Sequence, residues 1–166
     1  MAYRNTIFNE NEWQEMTRSI SLMFYSIAGV DAKIDKKERQ ALDMVLKSKG
    51  NFRSELFKEV LSYMDDDAEK LMEEYDAKSM DLNKTITEVG RILDNKLSHK
   101  ESYDFKKHLI AIGAFVADAS GKFLQRKISQ QEEETLINIG FNLNIPVKEL
   151  LLTKSLDKIV DRITLD

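Results

Sequence analysis

One pattern of residues occurs twice in this 166-residue chain, and each copy predicts two helices joined by a loop. The first copy spans residues 27–42 and the second spans residues 115–136. In each copy an apolar helix ends in Asp, and a loop leads to an Ile, a polar N-cap residue, a Glu three positions later and a Leu four positions after that. The Asp and the Ile are three positions apart in the first copy and ten apart in the second. The repeat therefore predicts two related helix–loop–helix units.

The rest of the chain also carries helical signals. Apolar residues recur at helical spacing, whereas proline occurs once and no Asn-Gly or Asp-Gly hairpin turn is present. Four sequences of capping-box form begin at Asn11, Asp35, Ser98 and Ser129. The predicted helices are 11–30, 35–49, 52–64, 66–77, 81–97, 99–118, 130–143 and 146–163, the last with a break near Thr153 as an alternative. We expect an all-α fold of seven or eight helices, one domain over residues 1–166, with the two units related by pseudo-twofold symmetry.

Composition excludes several classes of protein. The chain has no cysteine, which removes disulfide frameworks, Cys–zinc sites and thiol catalysis. The formal net charge is −4, which argues against a general nucleic-acid binder. The longest apolar run, residues 109–117, is shorter than the roughly 20 residues of a membrane-spanning helix, and no export signal is seen. We therefore expect a cytoplasmic protein without membrane insertion, in which the acidic run between residues 62 and 81 is a solvated face or a partner-docking patch.

The carboxylates of the repeat have two interpretations. Glu38 and Glu132 are expected in the first turn of their helices, where a carboxylate caps the helix and meets the positive end of its dipole. Asp31 and Asp118 are expected at helix C-termini, where the dipole disfavours a negative charge. A basic neighbour, an Asx-turn or a bound cation would compensate for that cost. Capping alone remains an explanation for the two Glu residues.

A bound cation is the more specific hypothesis. Each loop brings the Asp that ends one helix towards the Glu that begins the next, and loop carbonyls would add oxygen ligands of the kind that calcium and other hard divalent cations prefer. The candidate metal ligands are Asp31, Glu38, Asp118 and Glu132. This is not an EF-hand, because the twelfth residue of each loop, where the closing Glu belongs, is Leu42 or Ser129.

No other chemistry is indicated by the sequence. His99 and His108 lack a second His at metal-ligand spacing and are expected as surface or capping residues. No phosphate-binding loop, nucleophile motif or dinucleotide fingerprint is present, so we expect a protein that is not an enzyme.

Two further expectations concern packing. Close helix contacts explain Gly29, Gly113 and Gly140, and Ile34 and Ile128 are buried at equivalent positions.

At the repeat, the chain resembles the TerB-like family, which is associated with tellurite resistance and bacterial stress response. The mark of that family is an apolar helix followed by Ala-Asp-Gly-x-Ile-x-x-x-Glu, occurring twice. Residues 31–38 look like the first motif, although Ala32 replaces its Gly, and residues 117–132 look like the second, interrupted by the longer loop. Residues 142–150 also look like the end of the family's domain, so the resemblance covers about residues 20–151.

The resemblance implies paired helix–loop–helix units whose acidic residues bind a divalent cation, with calcium as the suggested ion. It also implies a protein partner, since related domains are fused to chaperone-type modules. Two functions are therefore expected. The first is a non-enzymatic binding or sensing module with a carboxylate cation site, and the second is a protein-interaction scaffold without a metal site. Nothing in the sequence indicates the oligomeric state.

Overall fold

The computed structural model describes residues 2–28, 36–65, 81–120 and 130–145. In these ranges the chain is all-helical, as the sequence predicts, and contains no β-strand, only an isolated bridge between Arg4 and Phe8. The α-helices are α1 (Glu10–Ala28), α2 (Lys36–Lys47), α3 (Glu55–Asp65), α4 (Leu82–Lys96), α5 (His99–Ser120) and α6 (Gln130–Asn142). A 3-10 turn at Lys49–Asn51 follows α2. None of the helices described here is long and apolar enough to cross a membrane.

Other predictions concern residues outside the described ranges. These are the helices at 66–77 and 146–163, the packing of Ile34, Ile128 and Gly29, and most of the acidic run. The expected total of seven or eight helices therefore stays a prediction, and six α-helices are described.

Two helices begin with the reciprocal hydrogen bonds of a capping box. At α5 the backbone N–H of Ser98 donates to the Glu101 carboxylate over 3.2 Å, and the Glu101 N–H donates to the Ser98 hydroxyl over 3.3 Å, as the sequence predicts. The box predicted at Asn11 is wrong. Asn9 and Glu12 form it instead, with N–O distances of 2.8 and 2.9 Å, because the Glu12 carboxylate is also stabilised by the dipole of α1.

Helix α5 is the centre of the bundle, and each of the other five α-helices described contacts it. In its C-terminal half is Gly113, where a Cβ atom would lie 2.6 Å from Leu136 Cδ2 of α6 and 2.8 Å from Met23 Sδ of α1. Both distances are shorter than van der Waals contact, so the absent side chain lets the three helices approach one another. The prediction that close packing explains Gly113 is confirmed.

Helices α1 and α5 run in the same direction. Near the start of both, Lys96 Nζ contacts the Glu12 carboxylate at 2.7 Å and also donates to the Ile7 carbonyl at 3.0 Å. Eleven residues further along α1, Met23 reaches Gly113 in the C-terminal half of α5. The two helices therefore end at the same end of the bundle.

An ion pair between a buried lysine and a partly exposed aspartate holds α4 against α5. Lys106 Nζ contacts both carboxylate oxygens of Asp94 at 2.7 Å, and the Ser102 hydroxyl donates to the same carboxylate at 2.6 Å. The Lys106 side chain is 5% exposed, whereas that of Asp94 is 42% exposed. Partial burial acts to raise the pKa of Asp94, but the hydrogen bonds from Lys106 and Ser102 outweigh it and lower the pKa below its ordinary value.

The segment before α1 is fastened to the bundle at the end where α5 begins. The Glu59 carboxylate of α3 accepts hydrogen bonds from the backbone N–H groups of Tyr3, at 2.9 Å, and Arg4, at 3.0 Å. The Arg4 guanidinium lies 4.4 Å from the centroid of the Tyr63 ring, and Phe8 is buried in the core. Burial and the nearby Glu101 carboxylate raise the pKa of Tyr3. Polar side chains thus tie this end of the bundle together.

The close contact at Gly113 leads to a prediction about the stability of two glycine variants. Gly113→Ala places a methyl group against the side chains of Leu136 and Met23, and we expect a loss of about 1–3 kcal/mol in the free energy of unfolding. Gly90→Ala is the matched control, because its Cβ would meet Asn142 and Leu143 at an ordinary 3.6 Å. That variant should be neutral or gain up to about 1 kcal/mol from helix propensity. Urea unfolding measures both, and equal effects would contradict the inferred close contact.

The ion pair at Lys106 makes a second prediction. Asp94→Asn leaves a buried ammonium group without its counter-charge and should cost about 1–3 kcal/mol at pH 7. Because folding lowers the pKa of Asp94, the stability that its carboxylate contributes is present above the unfolded pKa of about 3.9 and is lost as the pH falls through the folded pKa. The difference in the free energy of unfolding between the unmodified protein and Asp94→Asn should therefore shrink below about pH 4.

Asp104→Asn is the control for that measurement. Asp104 pairs with Lys100, whose side chain is 85% exposed, and an exposed pair contributes less than about 1 kcal/mol. Chemical denaturation of the three proteins between pH 3 and 7 makes the comparison. A loss for Asp94→Asn that is no larger than that for Asp104→Asn would show that Lys106 reaches water.

Candidate functional site

The parallel arrangement of α1 and α5 brings the C-termini of both helices to one end of the bundle, here named the loop end. Ala28, the last residue of α1, and Asp118 each lie five positions after the contact between Met23 and Gly113. The two residues are therefore at the same height in the bundle. The predicted loops that follow α1 and α5 in the sequence therefore begin at this end.

Helix α2 begins close to where α1 finishes. Burial raises the pKa of Tyr25, in the last turn of α1, and the positive charge of Arg39, in the first turn of α2, acts in the opposite direction. The two side chains are therefore near one another. The first turn of α2, which includes Glu38, belongs to the loop end.

Helix α6 begins at the same end. Leu136 lies beside Gly113, and Asn142 lies beside Gly90 of α4, nearer the start of α5, so α6 runs antiparallel to α5. Glu132 is one turn before Leu136 and is consequently one turn closer to the loop end. Two helix C-termini and two helix N-termini meet there, as expected for matched helix–loop–helix units.

The structure describes the four predicted metal ligands to different extents. Asp31 lies outside the described residues, and for Glu38 and Asp118 the helix positions are described but the side chains are not. Glu132 is described fully and is buried, with 7% of its surface exposed. Among the described side chains, no three His, Asp or Glu residues are grouped so that they could hold a metal ion. Of the four predicted ligands, only Glu132 has a described side chain. Their convergence on a shared ion stays a prediction.

The burial of Glu132 distinguishes it from the other Glu residues in equivalent helical positions. Glu12 and Glu101 also occupy the first turn of a helix and form capping boxes. The Glu12 side chain is 20% exposed and Glu101 is exposed. A carboxylate that only caps a helix can remain in water, as these two do, whereas Glu132 points into the bundle at the loop end.

The prediction that His108 is a surface or capping residue is wrong. Its imidazole is 4% exposed, and the rings of Phe52 and Phe57 each lie 5.3 Å from it, centroid to centroid. The apolar spacing of α5 predicts one buried face, but α5 is surrounded by helices and buries polar residues on its other faces. His99, at the start of the helix, is exposed as predicted. The burial of Lys106 was not predicted either, because nothing in the local sequence distinguishes this residue from the surface lysines.

Comparison with known proteins finds no family model, curated protein or solved structure that matches this chain. The resemblance to the TerB-like family therefore rests on the motif residues alone.

The meeting of helix ends predicts that the two loops lie side by side. Because the chain has no cysteine, the double variant Asp31→Cys/Asp118→Cys carries the only two thiols, and a short bismaleimide should link them within one chain. Mass spectrometry of the intact protein and of its peptides detects the link.

The control is Ser98→Cys/Asp118→Cys. Its two thiols lie 20 positions apart along α5, a separation of about 30 Å, so the reagent should not link them. Equal yields from the two double variants would contradict the side-by-side placement of the loops.

Proposed function

We propose that this protein is a non-enzymatic binding or sensing module that holds a divalent cation weakly at the loop end. The ligands are Asp31, Glu38, Asp118 and Glu132, together with loop carbonyls, and calcium is the first ion to test. The resemblance to the TerB-like family supports a role in the response to stress, including tellurite, inside a bacterial cell. It also supports a protein partner that reads the state of the module.

The observation that carries this proposal is the burial of Glu132 in the first turn of α6. Removing a carboxylate from water costs free energy unless the charge is paired, hydrogen-bonded or bound to a metal. The first turn of a helix stabilises a carboxylate by itself, but Glu12 and Glu101 obtain that stabilisation while remaining in contact with water. Glu132 also makes interactions within the protein, and its burial at the loop end supports a role for its carboxylate in the proposed site.

The helix ends add a second argument for a cation. The last carbonyl groups of a helix have no partners within the helix, and they carry the negative end of its dipole. Helices α1 and α5 end side by side, so two such ends act on the same region. A carboxylate near a helix C-terminus is disfavoured, and Asp118, two residues before the last residue of α5, is in that position. A divalent cation would relieve both sources of repulsion.

A protein-interaction scaffold without a metal site is the second candidate function. The two capping boxes favour it, because they show that this chain uses Glu in the first turn of a helix as an ordinary cap. In this case Glu38 and Glu132 would only cap α2 and α6, and Asp31 and Asp118 would form Asx-turns. The two functions differ in their response to calcium.

Calcium should stabilise the native protein. If the dissociation constant is near 1 mM, then 10 mM calcium adds about 1.4 kcal/mol by mass action and raises Tm by about 3–6 °C. The shift should be smaller in Glu132→Gln, and smaller still in Asp31→Asn/Asp118→Asn, because each change removes ligand charge. Differential scanning calorimetry at matched ionic strength measures the shift.

Glu101→Gln is the control variant for the calcium measurement. It removes a first-turn carboxylate from the opposite end of α5 and should leave the calcium-induced change in Tm unchanged. Comparing shifts within each variant separates ion binding from any general loss of stability. A wild-type shift no larger than that produced by sodium chloride would favour the scaffold function.

A further inference from the structure

Positive charge is concentrated in α2 and in the turn that follows it. Residues 36–53 contain two acidic side chains, Glu38 and Asp43, and six basic ones, which are Lys36, Lys37, Arg39, Lys47, Lys49 and Arg53. The whole chain has a net charge of −4, so the sign of the charge is reversed in this segment. Each of the six basic residues except the half-buried Lys49 is exposed. A local excess of one sign attracts ligands of the opposite sign.

One side of α2 packs against the bundle and the other side is open to solvent. The side that packs against α3 and α5 is formed by buried apolar residues, which are Ala41, Leu42, Val45 and Leu46. On the opposite side, exposed residues recur every three or four positions and form one row along the helix: Lys36, Gln40, Met44 and Lys47. We name this row the outer face of α2. The 12 residues of the helix extend about 18 Å, and Met44, 41% exposed, lies between the two lysines of the row.

The cations of this segment differ from basic residues elsewhere in the bundle. On the other helices an exposed basic side chain commonly pairs with a carboxylate one turn away, as Arg91 does with Glu88. Among the residues that the structure describes, no carboxylate forms an ion pair with Lys36, Lys47 or Arg53. The charge of these three side chains is therefore available to a ligand.

The first turn of α2 is an unfavourable place for positive charge. It contains Lys36, Lys37 and Arg39 together with one carboxylate, that of Glu38. No other helix in the described ranges has more than one lysine or arginine in its first turn. The positive end of the helix dipole disfavours cations there, so helix stability does not explain their presence. An anionic ligand would compensate for that cost.

We propose that the outer face of α2 binds an acidic segment of a partner protein. Carboxylates of the segment pair with Lys36 and Lys47, at opposite ends of the face, and an apolar side chain packs on Met44 between them. Methionine suits this role because its unbranched side chain adapts to the shape of the residue that it contacts. Charge complementarity of this kind speeds association and orients the partner.

The composition of the face favours a peptide over a nucleic acid or a lipid surface. Asp43 is exposed one turn before Lys47, so a ligand with a negative charge on every unit would place one against this carboxylate. A peptide can place an uncharged residue there. The face has no aromatic side chain on which bases could stack, and Met44 alone offers little apolar area for insertion into a bilayer. This inference does not depend on the cation site proposed above.

Selection from a phage-displayed library of random peptides tests the proposal on the full chain. EDTA is present throughout, so the result is independent of the cation site. The recovered peptides should be enriched in Asp and Glu around a large apolar residue. When such a peptide is added, the amide NMR signals of Gln40, Met44 and Lys47 should shift, whereas those of α6 should not.

Charge reversal on the outer face should weaken binding of the selected peptide, as measured by fluorescence anisotropy. Lys36→Glu/Lys47→Glu should lower the affinity about tenfold or more at low ionic strength, because attraction becomes repulsion, and the difference should shrink as salt is added. Both residues are exposed, and a carboxylate at position 36 suits the helix dipole, so loss of folding would not explain the effect. Asp43→Asn should raise the affinity.

Lys84→Glu/Lys100→Glu is the matched control. It changes the net charge by the same amount at exposed positions on α4 and α5, and the affinity should stay within about threefold of the unmodified protein. Equal losses in the two double variants would overturn the proposal, as would peptides without acidic enrichment or a selection that recovers none. Tighter binding of a thymidine oligonucleotide or of phosphatidylserine vesicles, lost in Lys36→Glu/Lys47→Glu, would assign the face to that polyanion and also overturn it.

Discussion

The close approach of three helices at Gly113 is the constraint on which the rest of the bundle depends. The missing side chain lets α1 and α6 contact α5 closely at Gly113, and α5 in turn contacts every other helix described. Because α1 and α5 are separated by about half of the chain's length, this contact is one of those that join the two helix–loop–helix units. A larger residue at Gly113 would force the side chains of Leu136 and Met23 to shift.

The same contact divides the bundle into two ends with different chemistry. At the start of α5, charged side chains are paired, as in the contacts of Lys96 with Glu12 and of Glu59 with the backbone of residues 3 and 4. At the loop end, helix termini and a buried Glu132 come together. Ion pairs stabilise the first end, whereas the second end brings two helix C-termini and the buried Glu132 carboxylate into one region, where the proposed cation would act. This division is the physical basis of the proposed function.

The polar groups inside the bundle show how far local sequence patterns extend. The spacing of apolar residues predicts α5 as a helix with one buried face, and the helix is present. Lys106 and His108 are nevertheless buried, one paired with Asp94 and the other beside two phenylalanine rings. Helical periodicity distinguishes an inner from an outer face, but it does not indicate that a helix is surrounded by others. Burial of polar residues therefore depends on contacts between residues far apart in the chain.

For the described residues, the sequence by itself determined the all-helical class, the positions of the six helices to within a few residues and the repeated pairing of Asp with Glu, because periodicity and capping are local properties. It placed the N-cap of α1 two residues too late, since Asn9 and Asn11 both offer an N-cap and only Asn9 has a Glu three positions later. Tertiary structure alone decided that α1 and α5 run parallel, that their C-termini meet and that Glu132 is buried. These features follow from side-chain packing between distant segments, above all at Gly113, which no local pattern encodes.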